Sequence, residues 1–237
     1  MEPPAPRTDA ETAPKLGREF GTLVDIIIAP ARAFATIAGS SPWVVAYLVS
    51  IVLAVAGIEL AAPALLHVET LIDKDFAAKL HSTPRFAAIY FFDLGIHTTL
   101  DVFFSCALTA LVLTFSTKRD AVPRRLAVFF SLALFANIPS AIGQLLTGIA
   151  TALRPAASYD TLSRFVLAFP DTLAVLAPHG SERELSFLGS VDAFTIWSTI
   201  LVGLGYASIA KLPIWRGIAI AFAITFAILV LVSLNIA

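Results

Sequence analysis

The sequence predicts an all-α, polytopic membrane protein, a five-helix transmembrane bundle with an N-terminal interfacial amphipathic helix. Three observations carry this expectation. Of 237 residues, 58% are hydrophobic and only 14% charged, whereas soluble domains run to about 45–50% apolar and about 25% charged. Five apolar runs come close to or exceed the roughly 20 residues that a helix needs to cross a hydrocarbon core. Lys and Arg crowd the short segments that would lie on one side of those runs.

Residues 1–19, MEPPAPRTDAETAPKLGRE, are rich in proline and mixed in charge. They read as a disordered cytoplasmic tail without the apolar stretch of a secretory signal. Residues 20–39 form the interfacial helix. Leu23, Ile27, Phe34 and Ile37 recur on one face, Asp25 and Arg32 face water, and Pro30 kinks or splits the helix. Ser40 or Ser41 is placed to cap the next helix, with Pro42 near its first position. Trp43 and Tyr47 then fall at headgroup depth, where amphipathic rings concentrate.

Residues 40–237 make up the membrane domain, with spans at about 42–66, 88–115, 126–153, 193–210 and 214–236. Lys211 and Pro213 mark a tight turn between the last two, because one continuous helix would be too long for a single crossing. In the long loop from Arg154 to Val191, Leu162, Phe165, Val166 and Phe169 suggest a short amphipathic helix ending near Pro170. Ser181–Glu184 fits a capping box that opens a helix stopping at Gly189, and Asp192 is placed to cap the fourth span.

With the N-terminus in the cytoplasm, the inner segments hold Arg7, Lys15, Arg18, Arg32, Lys118, Arg119, Arg124, Arg125, Lys211 and Arg216. The outer loops hold Lys74, Lys79, Arg85, Arg154, Arg164 and Arg183. Dense basic clusters in short loops set topology, so the expected arrangement is N-inside and C-outside. Lys118, Arg119, Arg124 and Arg125 are also able to meet anionic lipid or a partner.

The stretches IIIAPARAF, FANIPSAIGQLL, VDAFTIW and GLGYASIAKLPIWRGIAIA, in this order among five spans, resemble the Yip (Ypt-interacting protein) family. The resemblance runs from about Phe20 to the C-terminus and is closest to the bacterial branch. It implies a five-span helical protein with a cytoplasmic N-terminus, and bacterial plasma membrane as the location. Eukaryotic members work in vesicle traffic with Rab-type GTPases; the N-terminal tail here does not match a GTPase-docking segment. The resemblance implies no catalytic residues.

Ionisable side chains inside the spans need an explanation, because a carboxylate at the bilayer centre costs about 2.5–3.5 kcal/mol on the insertion scale. At 1.5 Å per residue, Glu59, His97, Asp101 and Gln144 rise about 25, 27, 21 and 28 Å from the inner ends of their spans. They are expected together in the outer half, with Asp93 at the water boundary. One reading is a structural cluster in which carboxylates hold a protonated His97. The other is a proton or cation site. The Asp–xxx–His–xxx–Asp spacing of Asp93, His97 and Asp101 is ordinary helical spacing and a poor zinc signature.

Gly203, Gly205 and Ala207, with Gly217, Ala219, Ala223 and Ala227, give small faces on the last two spans. They suit a close helix–helix contact, within the chain or in a homodimer. Cys106 is the single cysteine, which excludes an intrachain disulfide, and the net charge of −1 gives no attraction to nucleic acid. No GxSxG, HExxH or glycine-rich phosphate loop is present, so neither an enzyme nor a metal or other cofactor is expected. The first expectation is a membrane scaffold or adaptor that organises the bilayer or an unidentified protein partner. The alternative is a small-solute, proton or cation transporter using the polar cluster.

Overall fold

The structure, a computed structural model, describes residues 15–234 apart from 84, 119–121, 123–124, 170 and 178. The expected tail therefore lies outside the described residues as far as residue 14. Helix α1 spans Lys15–Ile28, starting five residues earlier than the hydrophobic pattern suggested. Pro30 splits the segment as expected, since α2 runs Pro30–Ser40. Asp25 and Arg32 close the elbow with an ion pair at 3.4 Å.

The two helices lie across one end of the bundle. Ile26, Phe34 and Ile37 are buried against it, while Phe20, Val24 and Ile28 are exposed. An apolar outward face beside a buried one suits a helix bounded by protein on one side and bilayer on the other.

The expected cap at Ser40 or Ser41 is not made. Ser41 is in the left-handed conformation (φ 48°) and ends α2, and Ser40 Oγ donates back to Thr36 O. The next helix, α3 (Val44–Ile72), instead receives its N-terminal acceptor from a different helix: Val45 N–H donates to Glu19 Oε2 of α1 at 2.9 Å. A carboxylate at a helix N-terminus satisfies an orphan donor and complements the macrodipole.

After α3, the short α4 (Lys74–Ser82) leads to α5 (Phe86–Ser116). The third apolar run forms α6 (Arg125–Ala136) and α7 (Ile138–Ala152), broken at Asn137. Pro139 explains the break, because it has no N–H to offer the carbonyl of Phe135. The loop carries α8 (Leu162–Val166) and α9 (Glu182–Gly189), and the chain ends with α10 (Ala193–Ala210) and α11 (Ile214–Leu234). Lys211, with φ 53°, makes the tight turn between the last two, and Leu212 N–H donates to Ala207 O.

Among the described residues, four helical runs are long and apolar enough to cross a bilayer: Val44–Ile72, Phe86–Ser116, Arg125–Ala152 and Ala193–Ala210. The expected fifth span is α11, whose described apolar part, Ile214–Val230, is shorter. Val52, Phe92, Phe104, Phe115 and Phe226 point out of the bundle, leaving outer faces that water would not favour and acyl chains would.

At the α1–α2 end the bundle is solid. Leu113, Phe129, Leu132 and Tyr206 are wholly buried in one cluster with Ile26, Phe34 and Ile37. Tyr206 stacks edge-on to Phe129, with centroids 5.4 Å apart, and its hydroxyl accepts from Thr117 Oγ1 at 3.2 Å. The opposite end is covered by the long loop. Tyr159 is buried there with Ala64, Val68 and Ala168, and its hydroxyl donates to Thr151 O at 3.1 Å.

Candidate functional site

Between the solid end and the loop, the helices that meet carry polar side chains at helical spacing. Helix α5 contributes Thr98, Asp101, Ser105 and Thr109; α7 contributes Ser140, Gln144 and Thr147. Thr195, Ser198 and Thr199 come from α10, and Thr225 from α11. Residues three or four apart share a helix face, so these stripes converge on one cavity of about 650 Å³. Asp101, Ser105 and Gln144 are exposed at its edge, so the lining is reachable from outside the bundle.

The polar groups on the walls partly satisfy one another. Ser198 Oγ accepts from Ser140 N–H at 3.1 Å and from Ser140 Oγ at 2.8 Å. The break at Asn137 leaves the first donors of α7 without carbonyl partners, and Ser198 supplies one acceptor. Thr199 and Thr225 join α10 to α11 through their hydroxyls at 3.1 Å.

The roof is acidic. Asp171, Thr172 and Asp192 line it, and Thr172 pairs with Asp192 as an isolated antiparallel bridge. Asp192 caps α10 as expected: Oδ1 accepts from Thr195 N–H at 2.6 Å and Oδ2 from Thr195 Oγ1 at 3.0 Å. Asp171 Oδ1 and Thr172 Oγ1 are buried with no hydrogen-bond partner among the described residues. Burial, and next the charge of Asp192, push the Asp171 carboxyl above its ordinary value. No Lys, Arg or His lines the cavity among the described residues.

The residues expected to form one polar cluster are divided. Asp101 and Gln144 line the cavity. Glu59 does not; it lies over Gly95 of α5, where an added β-carbon would stand 3.5 Å from Glu59 Oε1. His97 pairs with Asp93, one turn away on its own helix, at 3.4 Å, and both are exposed. His97 Nδ1 also lies 2.9 Å from Asp93 O. Among the described residues no group of three His, Cys, Asp or Glu is placed to hold a metal ion.

The small faces also separate. Gly203 and Gly217 bring the backbones of α10 and α11 together, with Ala207 at the same contact. Gly205 turns away from α11, toward Leu132 of α6 and Phe34 of α2. Ala219, Ala223 and Ala227 are exposed, and the buried face of α11 is Gly217, Ala221 and Ile224 instead. At the basic turn, Arg125 closes α5 by donating to Thr114 O at 3.2 Å and Thr117 O at 2.7 Å. Lys118 is exposed, and Arg119 and Arg124 lie outside the described residues.

Most of the hydroxyl stripes and Asp171 are the part that sequence reasoning passed over; Thr109 and Asn137, read from the sequence as steps of a possible polar path, do line the cavity. The signal was present as Thr98, Asp101, Ser105 and Thr109, polar positions at steps of three and four inside an apolar run.

Long apolar helices with outward hydrophobic faces, packed solid at one end and hollow and polar at the other, define a multi-pass membrane protein. The chain belongs to the Yip family: the family described as Yip1 domain matches residues 24–235. Comparison with curated proteins and with solved structures gives no match.

Proposed function

We propose that the chain is a membrane scaffold or adaptor without catalytic activity, crossing a bacterial plasma membrane five times with its N-terminus in the cytoplasm and its C-terminus outside. The observation that carries this reading is the closed α1–α2 end. Leu113, Phe129, Leu132 and Tyr206 are wholly buried in one cluster there, with the hydroxyls of Ser50 and Ser131 also buried, and α1–α2 forms a broad platform on that same end. Transport through the cavity lacks this support, since a moving solute would have to breach close-packed aromatic and aliphatic side chains.

The test uses photocrosslinking amino acids at exposed positions of the platform side, Ala35 and Lys118. The expected result is the same protein adduct from both positions in intact membranes. Recovery of lipid or unrelated neighbours alone overturns the scaffold reading. Reporter tags at the two termini check the crossing number, and tags on the same side of the membrane overturn it.

A further inference from the structure

We propose that the cavity is a binding site for a small organic cation, an ammonium group flanked by hydrogen-bonding atoms, carried by a free solute or by a lipid headgroup. Its volume of about 650 Å³ falls within the roughly 300–1,000 Å³ of small-molecule sites. Three carboxylates, Asp101, Asp171 and Asp192, face it without a basic side chain among the described lining residues. In a bilayer such acids persist where they are paired, protonated or wetted.

Besides the charges, two buried oxygens in the roof, Oδ1 of Asp171 and Oγ1 of its neighbour Thr172, have no hydrogen-bond partner among the described residues. Buried polar atoms are satisfied in the great majority of cases. Both residues line the cavity, and an ammonium there supplies hydrogen-bond donors and charge together. Asp192, which already accepts from Thr195 N–H and Oγ1, keeps further lone pairs to share.

The chemistry selects against other ligands. An anion meets three carboxylates and no cation. A bare metal ion needs ligands converging on one point, and among the described residues no three His, Cys, Asp or Glu side chains converge in that way. The hydroxyl and amide groups are spread over the walls, which matches a ligand with several polar atoms. This inference does not rest on the scaffold reading.

The full chain is purified in mild detergent and titrated calorimetrically with ethanolamine, choline and spermidine chlorides. Sodium chloride at equal ionic strength and sodium succinate serve as controls. In a second arm, nanodiscs of phosphatidylethanolamine and of phosphatidylglycerol are compared for lipid retained by native mass spectrometry.

Saturable binding of an ammonium probe is expected, weakened about tenfold or more by Asp171→Asn and Asp101→Asn and unchanged by Asp93→Asn, outside the cavity. Ser105→Leu fills the cavity without removing charge and is expected to weaken binding as well, which covers a carboxamide variant that fails to fold. Binding of free amines assigns a solute; selective retention of phosphatidylethanolamine alone assigns a headgroup. Absence of binding in both arms, equal binding by succinate, or affinity unchanged in every folded cavity variant overturns the proposal.

Discussion

Gly57 of α3 and Gly148 of α7 meet backbone to backbone. A β-carbon on Gly148 would strike the Gly57 carbonyl, and one on Gly57 would strike the carbonyl of Gln144. Both glycines border the cavity, so their approach sets how far its α3 and α7 walls stand apart. Gly148→Val therefore has to push the helices apart. It is expected to cost about 1–3 kcal/mol as overpacking, read as a lower thermal midpoint in detergent. Gly39→Ala, where nothing lies within 4 Å of the added carbon, leaves the midpoint unchanged or slightly higher because alanine favours the helix. Equal midpoints for Gly148→Val and the parent would contradict the contact.

Glu19 holds α1 to the start of α3 by accepting from Val45 N–H. Removing an N-terminal acceptor costs about 1 kcal/mol. Glu19→Ala is therefore expected to loosen the platform before it unfolds the bundle. Hydrogen exchange should accelerate in Lys15–Ser40 and stay unchanged in α10. Uniform acceleration, or none, would show that the contact does not dock the platform.

Local caps were legible in the sequence except at Ser40 and Ser41, and the non-local contacts were not. Ser181 and Glu184 cap each other, with Ser181 N–H donating to Glu184 Oε2 at 2.8 Å and Glu184 N–H to Ser181 Oγ at 3.3 Å. Asp192 caps α10 within three residues. Such caps are written in consecutive residues. The acceptor for α3 comes from 26 residues upstream on another helix, and no local pattern distinguishes Glu19 from any other acid in the tail.

For the site, height along each helix could be counted from the sequence and rotation could not. Rise per residue placed Glu59 and Gln144 at similar heights, but Glu59 is two positions on from Gly57, which faces α7. At 3.6 residues per turn that spacing is about 200° of rotation, so Glu59 points away from Gln144. The glycine contact that fixes this rotation is a matter of packing. Asp171 lay in the loop, outside the apolar runs where polar residues attract notice.

Asp171 gives a pH dependence with a definite sign. Its folded carboxyl is raised above its ordinary value of 3.8, first by burial and then by Asp192. The fold thus disfavours the ionised form. The cost is absent below the ordinary value, grows as pH rises through it, and is complete above the raised value. Asp171→Asn should raise the thermal midpoint at neutral pH, with the gain disappearing below the ordinary carboxylate range. Glu184 behaves oppositely, because hydrogen bonds from Ser181 hold its carboxyl low; its contribution is lost as pH falls through that lowered value, and it cancels in the comparison of variant with parent. A gain that persists undiminished in acid would contradict the assigned cause.

Tyr206 tests the closed end. Its ring is wholly buried against Phe129, and its hydroxyl is tied to Thr117. Tyr206→Phe removes one buried hydrogen-bond partner and is expected to cost about 1 kcal/mol. Tyr206→Ala also leaves a cavity and is expected to cost about 3–5 kcal/mol. Leu113, Phe129 and Leu132 remain in the same cluster, so the end should stay closed in both variants. Proton and cation flux in proteoliposomes should match protein-free vesicles for the parent, Tyr206→Phe and any folded Tyr206→Ala. A parental flux above that background, lowered by Asp101→Asn, would reverse the assignment and make the cavity the outer half of a transport path.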